Sequence, residues 1–247
     1  MSRRVALWSP AGDGASSLLL NLAAALVGRP LSFAAVDLNL TTPSLTLYAD
    51  LLPHNDPLSA CLSRLLPQLE AERLALAELL PHLRMADGIP VLPGMLDPIG
   101  ANRLQEAQIH RLLATLAERF DLLLIDTTPT LDSVAGFPLL EAADQILLVV
   151  GPGLSSRFHA RRYLLPLRGL GWERKTLLVA NRATEAEGRQ VAADLGLPLV
   201  ATIPDWGGMR GALEGGKIAY RSLSPLPSLA RYKSAITALA ARIAEGG

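Results

Sequence analysis

Residues 9–17, Ser-Pro-Ala-Gly-Asp-Gly-Ala-Ser-Ser, have the layout of a loop that holds phosphate. A short apolar strand, Arg-Arg-Val-Ala-Leu-Trp at 3–8, leads into them, and a helix-forming run at 18–26 follows. In such a turn Gly12 and Gly14 let the backbone approach an anion, and the N–H groups opening the helix, at Ala15, Ser16 and Ser17, point toward it. A phosphate loop ordinarily adds a lysine just before the Ser/Thr pair; here that place is Ala15. The same residues also fit a plain strand-to-helix turn in which Ser16 or Ser17 caps the helix.

Four further segments carry groups of the right type. Asp121-Leu-Leu-Leu-Ile-Asp126-Thr-Thr-Pro129 is an apolar strand ending in a carboxylate, which can hold a hydrated Mg²⁺ together with Ser16. Asp126 equally fits a turn cap. Asp37 and Asn39 leave a second strand; Asp37 can accept a proton from water or order Mg²⁺, whereas Asn39 can orient water and cannot deprotonate it. Asn181-Arg182 ends a later strand, where an Asn can read a purine edge, and Pro204-Asp205 follows another, where the proline can pack on a base. Each of these last two, taken alone, fits an ordinary loop.

The elements that must position these groups read as α/β. Apolar segments at 3–8, 31–37, 89–92, 121–126, 144–150, 175–181 and 198–203 predict strands. Several are apolar at every position, as parallel strands covered on both faces require. Helical patterns at 16–28, 58–66, 68–80, 103–118, 155–169, 184–195 and 228–244 alternate with them, and 41–57 reads as a long loop or short helix. The alternation predicts a single doubly wound, mostly parallel sheet flanked by helices over 1–247, with ligands beyond the carboxyl ends of the strands.

Composition bounds the function. The chain has 247 residues, half of them hydrophobic, which suffices for a substantial core. Its formal net charge is zero, which argues against a nucleic-acid partner. A single cysteine, Cys61, excludes an internal disulfide, and with no signal-peptide pattern the expected location is cytoplasmic. The apolar runs fall short of the roughly 20 residues of a membrane span.

Together and in this order, the five segments resemble the MinD/ParA group of P-loop ATPases over almost the whole length. Within the group the chain is most similar to CpaE/TadZ-like pilus-assembly proteins and MinD-like positioning proteins. The group's Lys-Gly-Gly-x-Gly-Lys-Thr-Thr corresponds to Pro10-Ala-Gly12-Asp-Gly14-Ala15-Ser16-Ser17, and its Asn-Leu-Ala to Asn21-Leu-Ala23. Its Asp-x-Asp corresponds to Asp37-Leu-Asn39, and its Asp-Thr-Pro-Pro to Asp126-Thr-Thr-Pro129. The resemblance implies ATP or ADP with Mg²⁺ at this site, a homodimer, and protein partners. The departures imply a weakened site: Pro10 and Ala15 stand in place of both lysines, Asn39 in place of the switch carboxylate, and Asp13 adds a negative charge to the loop. The expectation is a scaffold or positioning component that has lost ATP hydrolysis, near a pilus or secretion assembly. A working ATPase with a rearranged loop and a cation supplied in trans is the second reading. A cluster-bearing reductase is excluded by one cysteine, and a dethiobiotin-synthetase-like ligase also needs the lysines. The group's basic membrane-binding tail has no counterpart in Glu245-Gly-Gly247, so direct membrane insertion by that route is not expected. Arg157, Arg161 and Arg162 with His159 predict a solvated helix face or a contact for an acidic partner.

Overall fold

The computed structural model describes residues 2–51 and 62–246. The strands are β1 (Arg3–Trp8), β2 (Phe33–Asp37), β3 (Arg84–Ala86), β4 (Ile89–Leu92), β5 (Leu122–Asp126), β6 (Gln145–Val150), β7 (Thr176–Asn181) and β8 (Leu199–Ile203). The helices are α1 (Ala15–Leu26), α2 (Ser44–Tyr48), α3 (Leu66–Glu70), α4 (Leu76–Leu79), α5 (Pro98–Ala101), α6 (Glu106–Ala117), α7 (Phe137–Ala142), α8 (Leu154–Gly169), α9 (Glu185–Leu195), α10 (Met209–Glu214) and α11 (Pro227–Glu245). The strands form one sheet in the order β3-β4-β2-β5-β1-β6-β7-β8, parallel throughout except for β3 against β4.

Alternate residues of the central strands enter opposite cores. Val5 and Leu7 of β1 pack with α1 and α11 on one face, while Ala6 and Trp8 join the cluster under α8 and α9 on the other. In β5, Leu122 and Leu124 face α1, and Leu123 and Ile125 face α6. Strands buried on both faces need apolar side chains at every position, which is why they read as unbroken runs. Asn21, wholly buried in α1, donates from Nδ2 to the Ser17 carbonyl at 2.7 Å and accepts the Tyr220 N–H at 2.6 Å, tying α1 to the segment before α11.

Three local expectations change. The single helix over 68–80 is broken into α3 and α4, with Glu72 at φ +55° between them. Leu69, Leu74 and Leu79 are all buried in one core. Five-residue steps on a continuous helix rotate by about 140° each, so one unbroken helix cannot aim all three at the same core. The hairpin β3–β4 turns on Asp87-Gly88, both at positive φ (48° and 83°), a two-residue loop whose signal lay in the sequence. Short helices α7 and α10 have no counterpart among the expected elements, whereas α2 in the described part of 41–57 agrees with the short-helix alternative. Cys61 and the start of the helix expected at 58–66 lie outside the described residues; Leu62–Leu65 is a 3₁₀ turn.

The loop from β5 to α7 closes on Gly136, where an added Cβ would lie 2.3 Å from the Thr130 carbonyl oxygen and 2.9 Å from Leu131 Cα. These are backbone atoms and cannot swing aside. Gly136→Ala is expected to cost about 1–3 kcal/mol, as overpacking does, read as a lowered urea midpoint at unchanged slope. An unchanged midpoint would show that the loop relaxes freely.

Candidate functional site

At the carboxyl edge of the sheet, the loops after β1, β2, β5, β7 and β8 surround a cavity of about 540 Å³. It brings together Gly12, Gly14, Ala15, Ser16, Ser17, Asn39, Asp126, Asn181, Arg182, Pro204 and Asp205. Strand order does this. β1 lies between β5 and β6, so the loop after β1 opens beside Asp126.

The phosphate end is the β1–α1 turn. Gly14 is the N-cap of α1, left-handed at φ +94°, with Gly12 at φ +71° before it. No side chain caps the helix; the Ser17 hydroxyl donates instead to the Gly14 carbonyl at 3.0 Å. This corrects the capping role open to Ser16 or Ser17, and it leaves the orphan N–H groups of the first turn to an anion. Gly14 is favoured there by its positive φ, and an added Cβ would also sit tightly, 3.1 Å from both Asn181 Nδ2 and Ser17 Oγ.

Asp126 and Asp37 end β5 and β2 side by side in register, both buried. Their surroundings differ. Asp37 accepts the Thr46 N–H at 2.9 Å, the Thr46 hydroxyl at 2.7 Å and the Asn39 N–H at 3.2 Å. Thr46 Oγ1 in turn accepts the Gly94 N–H at 2.8 Å. Burial raises Asp37 to about 6 against these hydrogen bonds. Asp37 does not line the cavity. It anchors α2 and the β4 exit, with three of its four lone-pair sites taken by Thr46 and Asn39. Asp126 lines the cavity with both carboxyl oxygens buried and without hydrogen-bond partners. Burial, then the neighbouring Asp37, pushes it well above the ordinary carboxylate range; the Ser16 hydroxyl, close by but outside hydrogen-bond geometry, opposes the rise.

An orphaned, buried carboxylate beside a serine hydroxyl and uncapped helix N–H groups fits a hydrated Mg²⁺ carried in by phosphate oxygens. Ser16 and Asp126 are the residues that would hold it. Among the described residues no three His, Cys, Asp or Glu side chains cluster to make a dedicated metal cage. When bound there, the ion neutralises phosphate charge and the repulsion between the two aspartates.

Asp13 departs from expectation. Its carboxylate does not face the cavity. Oδ1 accepts the Ser156 hydroxyl at 2.8 Å and lies 3.4 Å from an Arg182 guanidinium nitrogen. Its N–H donates to Ser9 Oγ at 2.7 Å and its carbonyl accepts from Asn181 Nδ2 at 2.7 Å. The loop is thereby fixed to β7 and α8, and the added charge is turned away from the space for phosphate. Asn181 thus commits one amide N–H to the loop, leaving its second N–H and Oδ1 for a ligand.

The far end of the cavity holds residues that the sequence did not single out: Trp206, Met209, Arg210, Leu213 and Tyr232. Trp206 and Tyr232 are buried with ring centroids 6.4 Å apart, and burial raises the Tyr232 phenol. With Pro204 they make an apolar wall suited to a flat ring. Trp206-Gly207-Gly208 directly after Pro204-Asp205 was a usable local signal; Tyr232, on the last helix, offered none. The basic cluster is divided. Arg157 forms an ion pair with Asp194, and Arg161 donates to the Asp194 carbonyl at 3.1 Å, so two of the three arginines clasp the end of α9 rather than form a merely solvated face.

No protein-family model matches the chain, and no curated protein matches it. Solved structures do. A ParA family ATPase from Chlorobium tepidum superposes with a TM-score of 0.80 at 22% identity, over 98% of this chain and 99% of that one. The septum site-determining protein MinD of Pyrococcus horikoshii, complexed with Mg-ADP, gives 0.78 at 21%, over 98% and 96%. MinD in the Aquifex aeolicus MinC:MinD complex gives 0.73 at 17%, over 99% and 96%. The fold is therefore that of the MinD/ParA ATPases: a mostly parallel sheet flanked by helices, with the cavity at its carboxyl edge. Among the described residues no helix is long and apolar enough to cross a membrane.

Proposed function

We propose that this chain binds a Mg²⁺-nucleotide weakly, does not hydrolyse ATP, and serves as a scaffold or positioning component. The observation that carries this is a preformed phosphate cavity without a lysine. Among its described lining residues the only cations are Arg182 and Arg210, and Ala15 stands where the resemblance calls for a lysine. The shape supports binding: uncapped N–H groups, Ser16 and an orphaned Asp126. The missing charge argues against turnover, which rests on positioned cations at the transferring phosphate. A protein partner agrees with the MinC:MinD complex solved for the same fold, and a homodimer rests on resemblance alone. Placement near a pilus or secretion assembly rests on resemblance alone.

Calorimetric titration with ADP, ATP and Mg²⁺ tests the site. The expected result is binding weaker than micromolar that requires Mg²⁺. Sub-micromolar affinity would favour the working ATPase instead. Co-purification from the native host tests the scaffold role, with recovery of no specific partner counting against it.

A further inference from the structure

We propose that Arg182 is the phosphate-binding cation of this site, stored against Asp13 when no ligand is present. The proposal rests on the nucleotide reading above and sharpens it, since the sequence placed Arg182 on the purine side.

Three observations converge. Arg182 is a non-glycine residue at φ +55°, a left-handed conformation that costs energy in an L-residue and that surrounding structure must enforce. This backbone turns the side chain from the end of β7 toward the β1–α1 loop, where its guanidinium lies 3.4 Å from Asp13 Oδ1. The Arg182 side chain is 55% exposed while the Asp13 side chain is 9% exposed, so the arginine is the movable partner. At 3.4 Å this contact is long for a charge-assisted hydrogen bond. Asp13, by contrast, is fixed through Ser156, Ser9 and Asn181. Arg182 also lines the cavity, whereas Asp13 does not.

The chemistry follows. A guanidinium presents a planar fork that matches two phosphate oxygens. Asp13 sits between Gly12 and Gly14, so the stored arginine already rests against the loop whose N–H groups would face the anion. A small rotation of the side chain exchanges one carboxylate contact for a bidentate phosphate contact. Asp13 lowers the affinity of the empty site by competing for the arginine, and thereby keeps a cation beside a pocket that has no lysine. Of the other charged groups in the cavity, Arg210 is cationic and Asp205, Glu214 and Asp126 are acidic, so Arg210 is the one rival for the role.

The test measures binding of inorganic pyrophosphate, ADP and adenosine, each with Mg²⁺, by calorimetry. Arg182→Gly is the key variant, because glycine keeps the left-handed backbone and removes only the side chain. It is expected to weaken pyrophosphate and ADP by about tenfold to a hundredfold, the scale of one charge-assisted contact, and to spare adenosine. Its salt dependence should flatten. Asp13→Asn should tighten pyrophosphate several-fold, and that gain should vanish when combined with Arg182→Gly, as a double-mutant cycle reads it. Arg182→Lys should recover part of the loss. Circular dichroism and thermal melting confirm that each variant folds. Equal losses for adenosine would return Arg182 to the purine side and overturn the proposal. So would a loss confined to Arg210→Ala, or weakened binding in Asp13→Asn. If the unmodified chain binds ADP and Arg182→Gly binds it equally well, this proposal falls and the nucleotide reading stands. If the unmodified chain binds none of the three probes, both fall.

Discussion

Purified protein mixed with Mg-ATP is expected to release phosphate no faster than buffer. The argument is electrostatic. Developing charge on a transferring phosphoryl group must be met by donors already in place. Removing one such donor commonly costs roughly 10²–10³ in turnover. Here Pro10 and Ala15 occupy both lysine places that the resemblance calls for, and Ala15 lies in the cavity wall. Asn39 is also in the wall, with Oδ1 accepting the Thr42 N–H at 3.1 Å, and it has no carboxylate to activate water. Asp37 is buried behind it with its oxygens bound to Thr46 and Asn39. Charge-assisted hydrogen bonds contribute roughly 1.5–3 kcal/mol each, so two absent lysines lower nucleotide affinity by about 10²–10⁴. Ala15→Lys is accordingly expected to tighten ATP by about tenfold to a hundredfold. Steady phosphate release by the unmodified chain, abolished in Asp126→Ala, would sink the whole reading. So would an Ala15→Lys variant that folds and binds ATP no better.

The second large effect concerns stability and pH. Without ligand, the protein should be more stable near pH 5 than near pH 8, the reverse of a chain held by ionised carboxylates. Asp37 and Asp126 titrate higher in the folded state than in the unfolded chain, both because of burial. The folded state therefore binds more protons over that interval, and stability falls as pH rises through it. For Asp37, raised from 3.8 to about 6, the loss accrues between about pH 4 and pH 6 and amounts to about 3 kcal/mol at 1.36 kcal/mol per unit. Asp126 extends the loss to higher pH. Asp121, Asp194 and Glu187, held down chiefly by hydrogen bonds from Ser32, Arg157 and Thr184, act oppositely only below the ordinary carboxylate range. His82, lowered chiefly by burial, acts oppositely inside the interval, and the two aspartates together are expected to outweigh it. Asp126→Asn removes a buried charge that lacks a partner. It should stabilise the empty protein at pH 8 by up to about 1–3 kcal/mol, the scale on which a buried group without a partner destabilises. That corresponds to a rise of roughly 2–4 °C in Tm per kcal/mol. The same variant should lose its response to Mg²⁺ with nucleotide, which in the unmodified protein should offset the high-pH loss. Thermal melts across pH 5–8, with and without Mg-ADP, decide it. Greater stability at pH 8 than at pH 5 in the ligand-free protein would show that the two aspartates are not strained neighbours.

The sequence by itself determined the architecture and the chemical deficit. Leu122 to Ile125 and Ile146 to Val150 are apolar at every position and short, as strands covered on both faces are. Gly12 and Gly14 before a helix-forming run marked the turn, and both adopt the positive φ that glycine tolerates. The absence of lysine at positions 10 and 15 is legible without coordinates, because residue type is local information. Tertiary structure alone decided what those residues face. Nothing local to Asp37 or Asp126 states that β2 and β5 pair with these two side by side, since parallel register is set by packing across the sheet. Nothing in residues 9–17 shows that the Asp13 carboxylate turns toward Ser156 and Arg182, distant in sequence. The break at Glu72 and the arrival of Tyr232 beside Trp206 have the same origin. Periodicity reports which face of a segment is buried. Only the assembled sheet brings side chains remote along the chain into contact, and those contacts fix the direction, partners and ionisation of each group in the site.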